Sequence, residues 1–167
     1  IDRGIFPVFC VSALKDMGVR RMMEFLGNVV PFVDDMPAPI NTDLEEVPAD
    51  SNGPLSLFVF KTTVEPHIGE VTYFRVMSGT LKAGADVTNM NRDSKERLAQ
   101  IYCVCGQVKT AVDELKAGDI GATVKMKDVR TGDTLCAEED PIVLESMTFP
   151  DPVIFIAVEP KTQKDLD

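Results

Sequence analysis

The segment from Gly69 to Gly84 constrains the fold of this chain more than any other stretch, because it joins a strand to two glycine turns. Residues 71–76 alternate along the chain and are rich in β-branched and aromatic side chains, which favours a half-buried strand. Gly79 and Gly84 then supply two turns, since glycine adopts positive φ without strain. We therefore predict that residues 71–76 and 86–90 form the first hairpin of a small antiparallel sheet.

Strands and turns continue from residue 55 to residue 149, at the spacing that is typical of a small barrel. The other predicted strands are residues 55–61, 97–105, 119–124 and 142–147. A barrel is favoured because closure removes the exposed edges of a small sheet. The predicted fold class is therefore mainly β, with a small closed antiparallel β-barrel at its centre.

Residues 1–31 indicate a unit of a different kind, a remnant of an α/β domain. Residues 5–11 form a nearly continuous apolar run, which is typical of a strand buried on both faces of a sheet. Apolar residues at helical spacing between residues 19 and 30 predict a helix, and Pro31 ends it. One strand and one helix cannot cover their own apolar faces, so we expect them to be the edge of a larger domain.

A linker separates the two units at residues 32–54. It holds four prolines among acidic and small polar residues, which favours extended, solvated chain and a domain boundary. Asp50 to Gly53 fits an Asp-x-x-Gly spacing, but we interpret it as a turn. The net charge of the chain is −10, and no Lys or Arg occurs between Arg21 and Lys61. Because the acidity is concentrated there, a local basic face on the barrel is compatible with the total charge.

The Gly69–Gly84 segment resembles the second domain of translational GTPases of the elongation factor G family. In that domain a Gly, a strand with a central Arg, Ser-Gly and a further Gly recur in this order. Residues 117–122 and 131–136 resemble its Ala-Gly-Asp-Ile and Thr-Gly-Asp-Thr-Leu segments, and both are Gly-Asp turns that lead into apolar residues. Residues 149–154 and 159–162 resemble the passage into the third domain.

The resemblance divides the chain into four parts. It assigns residues 1–31 to the end of the G domain, 32–54 to the linker, 55–149 to the β-barrel second domain and 150–167 to the start of the third domain. Because residue 1 is Ile rather than an initiator Met, we expect the chain to be a piece of a longer protein.

Ser12, Ala13 and Leu14 resemble the last guanine-recognition loop of a GTPase, in which the amide after a Ser-Ala turn reaches the guanine O6. Leu14 departs from the aromatic residue that is usual there. The family implies GTP or GDP with magnesium in the parent protein. The sequence, however, contains neither a Gly-x-x-x-x-Gly-Lys-Ser/Thr phosphate loop nor an Asn-Lys-x-Asp motif. We therefore expect no catalytic residue and no cofactor in this chain, and neither binding nor hydrolysis of GTP.

The resemblance implies a docking module that braces the G domain, contacts the third domain and binds small-subunit ribosomal RNA. The parent would drive GTP-dependent translocation in the cytoplasm. A GTPase-type release factor, a ribosomal protection protein that confers tetracycline resistance, and a purely structural spacer remain alternatives. Arg92, Lys95 and Arg97 fall in a polar loop at residues 91–97 and are the candidate RNA contacts. The alternative for this loop is a solvated turn in which neighbouring acids balance the charge.

The remaining expectations concern the cysteines and the tail. Cys103 and Cys105 fall on one face of a strand, and we expect all four cysteines to be buried in a reducing compartment. With one His in the sequence, we expect no metal site. Residues 153–158 form an apolar run that should fray or pair with another copy of the chain. No stretch has the length and apolar purity of a membrane span, so we expect no membrane partner.

Overall fold

The computed structural model describes residues 4–145, 147–148, 150–157 and 159, and within them the chain is mainly β, as predicted. Helix α1 spans Val19–Val29, and a single 3₁₀ turn spans Val33–Asp35. The strands are β1 Ser56–Glu65, β2 Gly69–Ser78, β3 Thr80–Lys82, β4 Ala85–Asn89, β5 Ser94–Leu98, β6 Ile101–Cys105, β7 Val108–Val112, β8 Glu114–Lys116, β9 Ile120–Val124 and β10 Thr134–Cys136.

Eight strands form one antiparallel sheet in the order β5-β4-β10-β1-β2-β9-β6-β7, and β3 pairs with β8 in a second sheet. The large sheet curls around a core that includes Leu57, Phe74, Leu98 and Leu135, all fully buried. Within the described residues its end strands, β5 and β7, do not pair with each other. The predicted closed barrel is thus present as a curled half-barrel sheet with two edges.

The predicted pairing of residues 71–76 with 86–90 is wrong. Strand β2 pairs with β1 and β9, whereas β4 pairs with β5 and β10. The turn at Gly79 is held from outside the hairpin, because its amide donates to the Asp50 carbonyl and its carbonyl accepts from the Ala117 amide. These two hydrogen bonds direct the chain after Gly79 into β3. Strand β3 pairs with β8, so the chain does not fold back along β2.

Two other predicted strands differ in the structure. The predicted strand at residues 97–105 is interrupted at Ala99 and Gln100, so β5 and β6 are separate strands. Residues 142–147 contain an isolated bridge from Leu144 to Asn41 rather than a strand, and Ser146 lies outside the described residues. In both places the residues are as apolar as a strand requires. A continuous strand, however, also needs a neighbouring strand of matching length to pair with.

The N-terminal segment gives a mixed result. Helix α1 is confirmed, and it begins after Gly18, whose φ is 74°. The predicted strand at residues 5–11 is wrong, because the structure assigns no strand there and the Ile5 side chain is 88% exposed. A buried strand needs hydrogen-bonding neighbours on both sides, and the described residues provide none. The ring of Phe9 instead packs on Phe25 of the helix, with centroids 4.9 Å apart.

The second half of the linker packs on the barrel, so the prediction of extended, solvated chain is wrong there. Val47 is buried, and the Ser51 carbonyl accepts a hydrogen bond of 2.8 Å from the Thr80 hydroxyl. The turn at residues 50–53 is confirmed, since the Gly53 amide donates to the Asp50 carbonyl at 3.1 Å. The amino-acid composition of a segment indicates how strongly it prefers water. Backbone hydrogen bonds to a neighbouring strand can nevertheless hold a polar segment in place.

The cysteines are mostly on the surface. Cys136 is buried in β10, and desolvation raises the pKa of its thiol. Cys10, Cys103 and Cys105 are exposed, so the predicted burial is wrong for these three. The placement of Cys103 and Cys105 on one face of a strand is confirmed by the burial pattern of β6.

The apolar tail at residues 153–157 has no strand assignment, and the exposed fraction of its Val153 side chain is 98%. Val158, Phe149 and residues 160–167 lie outside the described residues. Fraying or pairing with another copy stays a prediction. None of the helices in the described part of the chain has the length and hydrophobicity to cross a bilayer.

An ion pair between Lys109 of β7 and Glu65 at the end of β1 predicts that the stability of the fold depends on pH. Lys109 donates to Glu65 at 2.5 Å, and this hydrogen bond lowers the pKa of Glu65 and raises the pKa of Lys109. The Glu65 contribution is present above the carboxyl pKa of the unfolded chain and is lost as pH falls through the folded pKa. The Lys109 contribution is present below the lysine pKa of the unfolded chain and is lost as pH rises through the folded value.

We therefore expect Lys109→Met to lower the melting temperature at neutral pH, and the difference from the parent to shrink towards acidic pH. Thermal melts over a pH series measure this. Lys116→Met is the matched control, because Lys116 faces Glu114 at 3.5 Å in a well-exposed pair. A melting difference for Lys109→Met that does not change with pH contradicts the assignment.

Candidate nucleic-acid interface

The predicted polar loop at residues 91–97 is a short turn followed by strand β5. Alternation along β5 sends Glu96 inward, where it is 6% exposed, and leaves Lys95 and Arg97 on the outer face. The prediction of a loop is therefore wrong for these two residues. Their positions are set by the regular pairing of β5 with β4, which makes them a fixed feature of the sheet surface.

Arg92 has a structural environment that differs from those of Lys95 and Arg97. Its Nε donates to Oδ2 of Asp133 at 2.9 Å, and its side chain is 26% exposed. The same Oδ2 accepts hydrogen bonds from Asn89 Nδ2 at 2.8 Å and from the Arg130 amide at 2.8 Å. Asp133 is itself buried. Arg92 thus compensates a buried carboxylate and holds the turn after β4 against the segment before β10.

Lys95 and Arg97 also face acids, but in exposed pairs. Lys95 Nζ lies 2.6 Å from a carboxylate oxygen of Glu138, and both side chains are about 70% exposed, at 72% and 68%. Arg97 Nε lies 3.9 Å from Asp86. Exposed pairs of this kind contribute roughly 0 to 1 kcal/mol. A phosphate group can therefore replace the carboxylate partner at small cost.

Two further cations lie beside β5, and the sequence analysis missed them. The buried Glu96 carboxylate accepts hydrogen bonds from the Lys127 amide at 3.3 Å and the Asp128 amide at 2.9 Å. This contact holds residues 125–128 against β5, with the Lys125 and Lys127 side chains exposed. The sequence Lys125-Met126-Lys127 could have indicated these two cations, because an apolar residue between two lysines favours a buried Met with the lysines on the surface. Met126 is indeed buried.

A shallow groove of about 380 Å³ runs between β4, β5 and this segment, and we call it the β5 groove. Its cations are Lys95, Arg97, Lys125 and Lys127, and its carboxylates are Asp86, Glu96 and Glu138. Backbone amides hydrogen-bond Glu96 without removing its charge, so the groove holds four cations and three carboxylates, a formal net charge of four minus three, or +1. Two of these carboxylates, Glu138 and Asp86, pair with Lys95 and Arg97. In a chain of net charge −10, this groove is a local reversal of sign.

The Ser12, Ala13 and Leu14 segment lies in a tight turn at the other end of the chain. Reciprocal backbone hydrogen bonds of 3.0 Å between Ser12 and Met17 close this turn. Leu14 is 97% exposed at its tip. A guanine-contacting role for the segment stays a prediction. Groups of three or more His, Cys, Asp or Glu residues that could hold a metal ion are absent from the described part of the chain.

The chain matches known proteins in both sequence and structure. A family model described as elongation factor G domain 2 matches residues 54–138, about half of the chain. An elongation factor G of Salinibacter ruber (strain DSM 13855 / M31) is 40% identical over 173 residues, which cover 100% of this chain and 24% of that protein. A crystal structure of a protein from Thermus thermophilus aligns with a TM-score of 0.66 and 25% identity, over 93% of this chain and 22% of that one.

Proposed function

The chain belongs to the elongation factor G family, and on this premise we propose that its barrel is a ribosome-docking module that contacts the RNA of the small subunit. The chain spans about a quarter of the length of the curated relative, at 24%. GTP-driven translocation, with GTP or GDP and magnesium as cofactor, is therefore proposed for the longer protein. The G and third domains would be its intramolecular partners, and the family supports a cytoplasmic location.

The charge reversal in the β5 groove is the observation that carries this proposal. RNA presents a regular row of phosphates, and each phosphate that a lysine or arginine neutralises releases condensed counterions. The four cations of the groove project from a strand and from a segment that hydrogen bonds to Glu96 hold beside it, so their backbone positions are fixed before binding. Long-range repulsion from the acidic remainder of the chain is screened beyond about 10 Å at 0.1 M salt.

The proposal changes the set of RNA contacts that the sequence suggested. Lys95 and Arg97 remain in it, and Lys125 and Lys127 join it. Arg92 is assigned to the turn instead, because its Nε already donates to the buried Asp133. A glutamate at position 92 would face that carboxylate, so we expect it to lower the stability of the barrel rather than report on RNA binding.

Neutralising the groove should weaken binding to isolated small ribosomal subunits. We expect the variant with Lys95, Arg97, Lys125 and Lys127 changed to Gln to bind at least about tenfold more weakly at 0.1 M salt. We also expect the slope of log affinity against log salt to fall by roughly 3, since each lost contact removes about 0.7 to 0.9. Subunit-binding titrations at several salt concentrations measure both quantities.

The control carries the same change in net charge at other exposed positions: Lys15, Arg20, Arg21 and Lys82 changed to Gln. This variant should bind nearly as well as the parent if the contact is local. Equal weakening of both variants would show a response to net charge alone and contradict docking through the groove. Failure of the parent chain to bind the subunit at all would favour the spacer function over docking.

A further inference from the structure

The hairpin of β6 and β7 presents two thiols on one side. Cys103 and Cys105 are both exposed, and they alternate with the half-buried Tyr102 and Val104 along β6. Strand β6 pairs with β9 at the single position Tyr102, and β7 is the end strand of the large sheet on this side. The two thiols are therefore accessible neighbours on a surface that the proposed docking function does not use.

The opposite face of this hairpin carries an ion pair to the end of β1. Val104 lies opposite Lys109 in the β6–β7 ladder, and Lys109 forms the ion pair with Glu65 at the end of β1. Side chains of directly paired residues share a face, and neighbouring residues along a strand point to opposite faces. Cys103 and Cys105 thus lie on the face opposite the Lys109–Glu65 ion pair, beyond Ile101, which is on the same face and is buried in the core.

The spacing of the two residues excludes a simple disulfide. Side chains two residues apart on a strand are separated by about 6.6 Å, because each residue rises about 3.3 Å. A disulfide requires Cβ atoms about 3.5 to 4.5 Å apart. An ion that binds both sulfurs at about 2.3 Å allows them to lie up to about 4.6 Å apart. Two cysteine side chains that lean towards each other along β6 can span that distance.

We propose that Cys103 and Cys105 form a two-thiolate site for a soft, low-coordinate cation of the Cu(I) class. Thiolates select soft cations, and Cu(I) accepts two ligands, whereas structural zinc takes four. Within the described residues no third or fourth His, Cys, Asp or Glu ligand joins the pair. Binding converts two thiols and Cu⁺ into a bis-thiolate complex of charge −1 with release of two protons. Affinity therefore rises with pH.

Exposure is what makes the site available, and it corrects the expectation of buried, inert thiols. Cys136 is buried in β10 and takes no part. Cys10 is exposed but lies in the N-terminal segment, far from β6 in sequence, and it supplies a matched control.

The test is an anaerobic titration of the reduced 167-residue chain with Cu(I), added as its acetonitrile complex in competition with the chelator bicinchoninate. We expect one equivalent of Cu(I) to be withdrawn from the chelator, with ultraviolet thiolate-to-copper absorption. Loss of even an outer-sphere partner of a metal site costs about 10- to 100-fold in affinity. Cys103→Ser and Cys105→Ser should each weaken binding at least that much, and Cys10→Ser should leave it unchanged.

Circular dichroism verifies that the serine variants stay folded. Retention of tight binding by Cys103→Ser or Cys105→Ser, or its loss in Cys10→Ser, overturns the proposal. A second measurement tests the spacing directly, since mild oxidation with diamide should not join the two residues. If peptide mapping shows an efficient Cys103–Cys105 disulfide in the folded chain, the geometry argued for a bridging ion is wrong.

Discussion

Replacement of Asp133 by alanine is expected to lower the free energy of unfolding by about 3 to 5 kcal/mol, the range for breaking a buried ion pair. The Oδ2 atom of Asp133 accepts hydrogen bonds from Asn89, Arg92 and the Arg130 amide, at 2.8, 2.9 and 2.8 Å. Removal of the carboxylate leaves these donors without that acceptor, one of them a partly buried guanidinium. The lost hydrogen bonds lie where the end of β4 meets the start of β10.

Urea denaturation of the parent and the variant measures this change, with the m-value as a check that the unfolded state is unaltered. Asp128→Ala is the matched control, because Asp128 lies 3.6 Å from the same arginine but its side chain is 53% exposed. We expect that control to cost roughly 0 to 1 kcal/mol. Equal losses for the two variants would show that Asp133 is no more than another surface partner of Arg92.

A methyl group at position 79 should destabilise the barrel by roughly 2 to 5 kcal/mol, through backbone strain and overpacking together. Gly79 has a φ of 78°, and a Cβ built there would lie 2.7 Å from the Leu55 Cα and 2.9 Å from its amide nitrogen. Both neighbours are backbone atoms, so no side-chain rotation relieves the contact. Gly79→Ala would therefore push Leu55, the residue that follows the linker, away from the start of β3.

Gly84→Ala separates the effect of backbone strain from the effect of overpacking. Gly84 has a φ of 84°, and a Cβ there meets nothing within 4 Å. This control should show only the cost of left-handed backbone, about 1 to 2 kcal/mol. Denaturant unfolding of both variants gives the difference, which we attribute to contact with Leu55. If Gly79→Ala is no less stable than Gly84→Ala, the linker is not packed on the turn as the structure shows.

The family could be identified from local patterns in the sequence. Alternation at residues 71–76 and the glycines at positions 79 and 84 predict a strand and turns, and both are present. The Gly-Asp motif at residues 131–136 was interpreted as a turn. Its Asp133 was not identified as the acceptor of three hydrogen bonds, because Asn89 and Arg92 lie more than 40 residues earlier, at separations of 44 and 41. Nothing in the motif indicates those partners.

The candidate site, too, could be identified from the sequence only in part. The sequence identified Lys95 and Arg97 by local charge density, but it could not distinguish them from Arg92. Only the tertiary structure directs Arg92 to a buried carboxylate and brings Lys125 and Lys127 beside β5 through the Glu96 carboxylate.

The sequence by itself determined the strands near residues 55–61, 71–76, 86–90 and 119–124, the glycine turns and the family that the domain resembles, because these depend on neighbours along the chain. The tertiary structure decided that β2 pairs with β1 and β9, that the linker near Asp50 packs on the barrel, and that the β6 thiols are exposed. Strand pairing satisfies backbone groups with partners that are remote in sequence. Burial follows from that pairing, so side-chain type alone could not fix it.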